Sequence, residues 1–396
     1  MMAAATAARL GDRTLIIEKE DRIGKKLLAT GNGRCNLLSR RGLRYFGSAE
    51  FAKSVLGFCP EARLEELFSK MGLTLREEDG RVYPSSMQAA SVLDTLRRQL
   101  RIYSVSVRTG EKAERIIPED GGARVITEKA SYFAKRALVC GGGAASPKLG
   151  SDGSCYAILK ALGVKIEKPM PALTPLISHK KLTLPLSGLR IKTRAAVIGA
   201  SGVLDENEGE ALFTDYGVSG VVIMQLSRAA GAALANGEEP ILRLDLRPSM
   251  SLSSSTAGEL CAFLKSRAEA FGDEPCEELL IGALPRLLCV SVAKRAGISG
   301  RRAGEMRDGE IKRLSDVIMK YDLPITGTRG FEGAQVTAGG ADASYFDART
   351  LRMRQLTQIQ AGGELLSVDG DCGGYNLEFA FACGYLAGLD GRRDSI

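Results

Sequence analysis

Apolar residues recur every three to four positions in some stretches of this chain and every two in others, which separates helices from strands before any motif is considered. Residues 1–10 read as a helix, Asp12-Arg13 as a turn, and Thr14-Leu15-Ile16-Ile17 as a buried strand ending at Glu18. Leu64, Leu67 and Phe68 share one face of a predicted helix over 61–71. Val92, Leu93, Leu96 and Leu100 do the same over 88–100. Alternation over 101–108 and 123–128 predicts a small antiparallel sheet, followed by the strand Ala137-Leu138-Val139-Cys140. Glycine punctuates 24–36, which reads as a loop.

The pattern changes in the middle. Residues 189–224 carry short strands separated by Gly, Asn and acidic turns, as in a small barrel or sandwich. Ser253-Ser254-Ser255-Thr256 opens a helical stretch reaching about residue 320, and 325–340 returns to strand and turn. The tail reads as a strand, a loop over 369–374 and a closing helix over 375–388. These elements predict an α/β shell interrupted by a β-plus-helical insert. The expected divisions are 1–175 for the first part of the shell, 176–250 for a barrel and 251–322 for a helical subdomain. The barrel returns over 323–340 and the shell closes over 341–396.

Composition narrows the function. A chain of 396 residues, 44% hydrophobic and 26% charged, is globular and long enough for two or three domains. It has no apolar run near the roughly 20 residues that cross a bilayer, and its start lacks the charged region of a secretory signal. A soluble, cytoplasmic protein without a membrane partner is expected. The nine cysteines are scattered, odd in number and free of Cys-x-x-Cys spacing. That argues against a disulfide framework and against zinc or iron–sulfur sites, and for a reducing compartment. The net charge of +7 is spread over Arg-rich segments. It reads either as a solvated basic surface or as attraction for an anionic ligand such as a phosphorylated nucleotide. No basic stripe is interleaved with aromatics, so no nucleic-acid partner is expected. The single histidine, His179, precedes Lys180-Lys181 with no Ser-Asp or Cys partner pattern, and reads as an exposed loop residue. Hydrolase triads and multi-histidine metal centres are therefore poor readings. A redox cofactor is the better one.

Four segments carry candidate chemistry. Glu18, with Lys19 beside it, follows the first strand where a dinucleotide fold places the acid that accepts from the adenosine ribose. Such an acid lies about 20 residues after the glycine loop, so that loop would fall upstream of Met1. Alone, Glu18 reads equally as a surface carboxylate. The second segment is Thr30-Gly31-Asn32-Gly33-Arg34-Cys35-Asn36, preceded by Gly24-Lys25-Lys26. Its glycines let backbone amides approach a ligand and its three cations suit a pyrophosphate, unless it is only a basic Asn-Gly turn. Gly141 and Gly142 follow an apolar strand, where they either keep side chains out of a cofactor groove or make a tight turn. Last come Gly363-Glu364 and Asp369 through Gly373-Gly374-Tyr375-Asn376, leading into the closing helix. Asp369 there suits ribityl hydroxyls, and the helix N-terminus suits negative charge on a reduced flavin. A calcium-type Asp loop or a plain N-cap is the alternative.

Several runs carry a resemblance. GKKLLATGNGRCNL (24–37), GGGAASPKLGSDGSCYAI (141–158), ALFTDYGVSG (211–220), TGTRGFEGAQVTAGG (326–340) and VDGDCGGYNL (368–377) together span nearly the whole chain. The chain resembles a bacterial flavoprotein family, the aminoacetone-oxidase-family FAD-binding enzymes, which includes bile-acid-inducible flavin reductases. The resemblance implies a glutathione-reductase-like, Rossmann-type FAD domain with an inserted β-barrel and helical subdomain. It implies FAD as cofactor and NAD(P)H as reductant. Two departures stand out. Family members begin with a strand and glycine loop that this chain lacks, so weak FAD binding is expected of it. Gln358 and Gln360 replace an aromatic-containing strand before Gly363-Glu364, and altered packing is expected there. The expected activity is reduction of an electron-poor double bond in a small organic substrate, with Tyr216 a candidate proton donor. Amine oxidation by O₂ and an inactive remnant are the alternatives, and the oligomeric state is open.

Overall fold

A computed structural model of the chain describes residues 1–394. They fall into two compact units, one comprising Met1–Pro171 and the segment from Gly330 onward, the other Ala172–Arg329. The second unit thus ends at Arg329, earlier than the predicted return to the shell at 341. The last barrel strand is Tyr321–Thr328.

The first unit is α/β. Strand Leu15–Ile17 pairs in parallel with Ser106–Arg108, and Ala137–Val139 pairs in parallel with Ile359–Ala361. The stretch 101–108 therefore does not join the antiparallel sheet predicted for it. Helix Ala89–Ile102 runs through its first two residues, and only Ser106–Arg108 pairs with the first strand. The antiparallel sheet is built instead from Ala113–Glu119, Gly122–Thr127 and Ser131–Ala134. Helices Glu61–Lys70 and Ala89–Ile102 bury the faces that their periodicity assigns to the core.

The closing helix, Tyr375–Leu389, is buried nearly all round and packs against the leading helix Met2–Arg9. Glycines set that approach: a Cβ on Gly388 would lie 2.6 Å from the Ala3 carbonyl oxygen. The Gln358–Gln360 departure resolves here too. Gln360 is buried, and its amide donates to the carbonyls of Thr350 (2.7 Å) and Ala387 (3.2 Å). A buried amide with partners costs little, so the strand is accommodated by hydrogen bonding rather than by apolar packing.

The second unit holds a closed six-stranded barrel. In order round the barrel the strands are Leu176–Ser178, Gly217–Ser219, Gly202–Phe213, Arg190–Gly199, Ile241–Asp245 and Tyr321–Thr328. The strand reading of 189–224 holds only to Ser219, because Val221–Ala235 is a helix. Helices Ala257–Ala270, Arg286–Ala296 and Asp308–Met319 complete the unit. The first of these begins in a capping box between Thr256 and Glu259, as the Ser/Thr run before it suggests. Among the described residues, no helix is long and apolar enough to cross a membrane.

Candidate cofactor site

The segment 24–36 is more ordered than a loop. Lys25–Ala29 is a short helix, and after it the backbone turns left-handed at Gly31, Asn32, Gly33 and Cys35. Glycine and asparagine tolerate that region, and their density is what forces the turn. Thr30 anchors it, with its hydroxyl donating to the Leu27 carbonyl (2.6 Å) and its carbonyl accepting from the Cys35 amide (3.0 Å). Gly31 through Arg34 face solvent, whereas Cys35 and Asn36 are buried. Burial pushes the Cys35 thiol up to about 11, so it is no thiolate at neutral pH. The three cations are not equivalent. Lys25 pairs with Glu20 (2.7 Å) and Asp21, and Lys26 with Glu364 (2.7 Å). Arg34 has no ion pair among the described residues.

Lys26 and Glu364 lie 338 residues apart in sequence and belong to one knot. Lys26 Nζ also donates to the Ala145 carbonyl (3.1 Å). Glu364 Oε1 accepts from the Thr337 amide (3.1 Å) and hydroxyl (3.0 Å). The same hydroxyl accepts from the amides of Ala144 (2.8 Å) and Ala145 (3.0 Å). Gly143 is wedged into this knot, where a Cβ would sit 2.3 Å from Thr337 Oγ1. Gly141 and Gly142 back onto the side chains of Cys155 and Ser151. The crowding that excludes side chains at these glycines thus comes from the protein itself.

Strand Val368–Gly370, which carries the buried Asp369, pairs with Tyr45–Gly47. The Asn376 amide is fully engaged, accepting from the Gly370 amide (2.8 Å) and donating to its carbonyl (2.9 Å). It ties the strand to the helix. The N-cap of the closing helix is Gly374, at φ +108° and without a side-chain cap, so Asp369 is not the cap. A Cβ on Gly374 would lie 2.4 Å from the Leu38 carbonyl oxygen. Here too the neighbour that demands glycine is protein backbone. Around this bare helix start, three buried polar atoms lack hydrogen-bond partners: Asn36 Oδ1, Tyr375 Oη and Arg81 Nε. Asn36 Oδ1 lies 2.8 Å from the position of a Gly374 Cβ, and Arg81 Nε 3.7 Å from that of Gly373.

The remaining predicted residues are placed as follows. Glu18 accepts from the Glu20 amide (2.9 Å), and Lys19 pairs with Asp152 (2.6 Å). Tyr216 lies in the barrel unit with the Arg329 guanidinium 4.6 Å above its ring centroid. His179 is exposed. Sequence reasoning missed Arg81, which carries no local signal, and Thr337, which sits in a run already singled out.

A model described as the HI0933-like protein Rossmann domain matches residues 1–390. The chain is 35% identical over 394 residues to the 3-dehydro-bile acid delta(4,6)-reductase of Clostridium scindens, covering 98% of this chain and 95% of that protein. It is 24% identical over 402 residues to the ribosomal RNA dihydrouridine synthase of Haemophilus influenzae, with coverages of 98% and 95%. Among solved structures, a 3-ketosteroid delta1-dehydrogenase from Sterolibacterium denitrificans aligns over 98% of this chain and 96% of its own, with TM-score 0.49 and 12% identity.

Proposed function

The chain belongs to the HI0933-like Rossmann-domain family, and from that membership we propose that it reduces an electron-poor carbon–carbon double bond in a small organic molecule at the expense of NAD(P)H. It is an FAD-dependent oxidoreductase. The observation that carries the reading is the bare start of the closing helix, ringed by Asn36 Oδ1, Tyr375 Oη and Arg81 Nε. Buried polar atoms are almost always paired, so three orphans around one uncapped helix fit a ligand with a hydrogen-bonding edge. A flavin ring has such an edge. FAD, when bound, supplies hydride chemistry. The helix N-terminus favours negative charge beside it, and the Lys26–Glu364–Thr337 knot holds the neighbouring turns in place.

The substrate class draws on the relatives. A delta(4,6)-reductase and a dihydrouridine synthase both saturate a double bond conjugated to a carbonyl, and the first of them is the more similar to this chain. A conjugated oxo-steroid is therefore the substrate to try first. The nine cysteines, all free, suit a reducing cytoplasm. The test is to load the protein with FAD, reduce it anaerobically with NADPH or NADH, and add a 3-oxo-4,6-diene bile acid. Reoxidation of the flavin with loss of the diene absorbance is the expected result. Reduction by a small amine, with O₂ alone as acceptor, would replace this reading with an oxidase.

A further inference from the structure

Glu378 plays no part in the site above, yet it is the most unusual carboxylate in the chain. The first turn of the closing helix carries it inward among Tyr375, Phe379 and Ala382, where it is 4% exposed. One oxygen accepts from the Ser39 amide at 3.2 Å. That bond lies at the floor of a surface cavity of about 610 Å³, whose walls include Leu43, Leu56, Pro60 and Glu61. Ser39 also lines the cavity, and its buried hydroxyl has no hydrogen-bond partner.

Four charged side chains line the cavity: Arg40, Lys53, Glu61 and Glu378. Arg40 on the rim is held by Glu61, Glu65 and Glu77, and Lys53 by Glu50. Glu378 has no ion pair among the described residues, so it is the one lining charge left uncompensated. An uncompensated carboxylate on the wall favours a cation over an anion as ligand. Among the described residues no group of three His, Cys or carboxylate side chains could hold a metal, which favours an organic cation. The apolar walls suit an alkyl chain.

We propose that this cavity binds an aliphatic primary ammonium compound, with Glu378 as its counter-charge and the Ser39 hydroxyl as a second acceptor. The ammonium supplies the donors that both groups lack. The FAD-loaded protein is titrated calorimetrically with n-butylammonium chloride at about pH 8, with 1-butanol and butyrate as controls. Butylammonium alone should bind, and Glu378→Gln should weaken it about ten- to a hundredfold, the range for a hydrogen bond to a charged group. Affinity should also fall as the pH drops through about 7, where burial places the Glu378 carboxyl. Glu61, Arg40, Lys53, Tyr45 and Cys59 face the same region; Tyr45 and Cys59 stay neutral there because burial raises both. Binding of 1-butanol as tight as that of butylammonium, or no heat with any probe, overturns the proposal. So does an unchanged affinity in folded E378Q. Should E378Q not fold, Ser39→Ala decides: a severalfold loss supports the site and an unchanged affinity overturns it.

Discussion

Two helices of similar length begin in opposite ways. Ala257–Ala270 starts under Thr256, whose hydroxyl accepts from the Glu259 amide (3.2 Å) while Glu259 accepts from the Thr256 amide (2.7 Å). Tyr375–Leu389 starts at a glycine with no side-chain cap, and the nearby Asp371 carboxylate pairs with Arg44 (3.1 Å) instead. Each helix has a comparable dipole, and each leaves its first amides in need of acceptors. The first helix meets that need locally, and its buried Leu260, Leu264 and Ala268 give it a packing role. The second leaves the need unmet beside three further unpartnered polar atoms. The chain can write a capping box. Where it writes glycines instead, the helix start is free for a ligand.

The sharpest way to break this contrast is to fill both starts. Gly374→Val puts a β-branched side chain at φ +108° and 2.4 Å from the Leu38 carbonyl oxygen, and backbone cannot step aside cheaply. A loss of about 4 kcal/mol or more is expected, with flavin lost as well, because strand 38–39 and the helix must separate. Gly258→Ala, whose nearest neighbour is Thr256 Oγ1 at 3.9 Å, should stabilise by up to about 1 kcal/mol. Paired denaturation curves and flavin content test both. A folded, yellow G374V protein would undo the contrast.

Next in size is Glu378, one turn into the closing helix. Burial raises its carboxyl from the ordinary 4.5 to about 7. The native state therefore holds the proton that the unfolded state releases, and stability falls as pH rises from about 4.5 through about 7. Across that interval the loss amounts to roughly 3 kcal/mol above pH 7. Glu378→Gln should recover much of this in alkaline buffer and little of it in acid. Equal effects of the substitution at both ends of the pH range would show that Glu378 does not titrate in this window.

The smallest effects separate the two starts most cleanly. Tyr375→Phe removes a buried hydroxyl that has no protein partner, so the apoprotein should gain stability, by up to about 1 kcal/mol, while flavin affinity falls up to about tenfold. Thr256→Ala should lower the melting temperature by the equivalent of about 1 kcal/mol and leave flavin affinity alone. Melting and flavin titration of both proteins check the crossing pattern. A parallel loss in both would mean the two helix starts serve the same purpose.

The elements read best from the sequence were those with a local cause. Leu64, Leu67 and Phe68 mark their helix by spacing alone, and the left-handed turn at 31–35 follows from Gly-Asn-Gly. Val221–Ala235 was obscured because it opens with Val-Val-Ile after a run of strands, and β-branched residues at a helix start imitate another strand. The site was legible only in outline. The glycines at 31, 33, 363, 373 and 374 could be picked out, but not what crowds them. Gly374 owes its neighbour to strand 38–39 and Gly143 to Thr337, contacts that only the fold brings about. Lys25 and Lys26 read as free cations because their carboxylate partners cannot be counted from spacing, least of all Glu364. Glu378 was not singled out, since nothing local reveals that the helix is buried nearly all round.

The Thr337 hydroxyl has one hydrogen and two lone pairs, and all three are in use. The hydrogen goes to Glu364, and the lone pairs go to the amides of Ala144 and Ala145. Valine would match threonine in shape but strand two amides at once; serine would keep every bond. Position 337 thus has a vocabulary of two residues, written by valence rather than by volume.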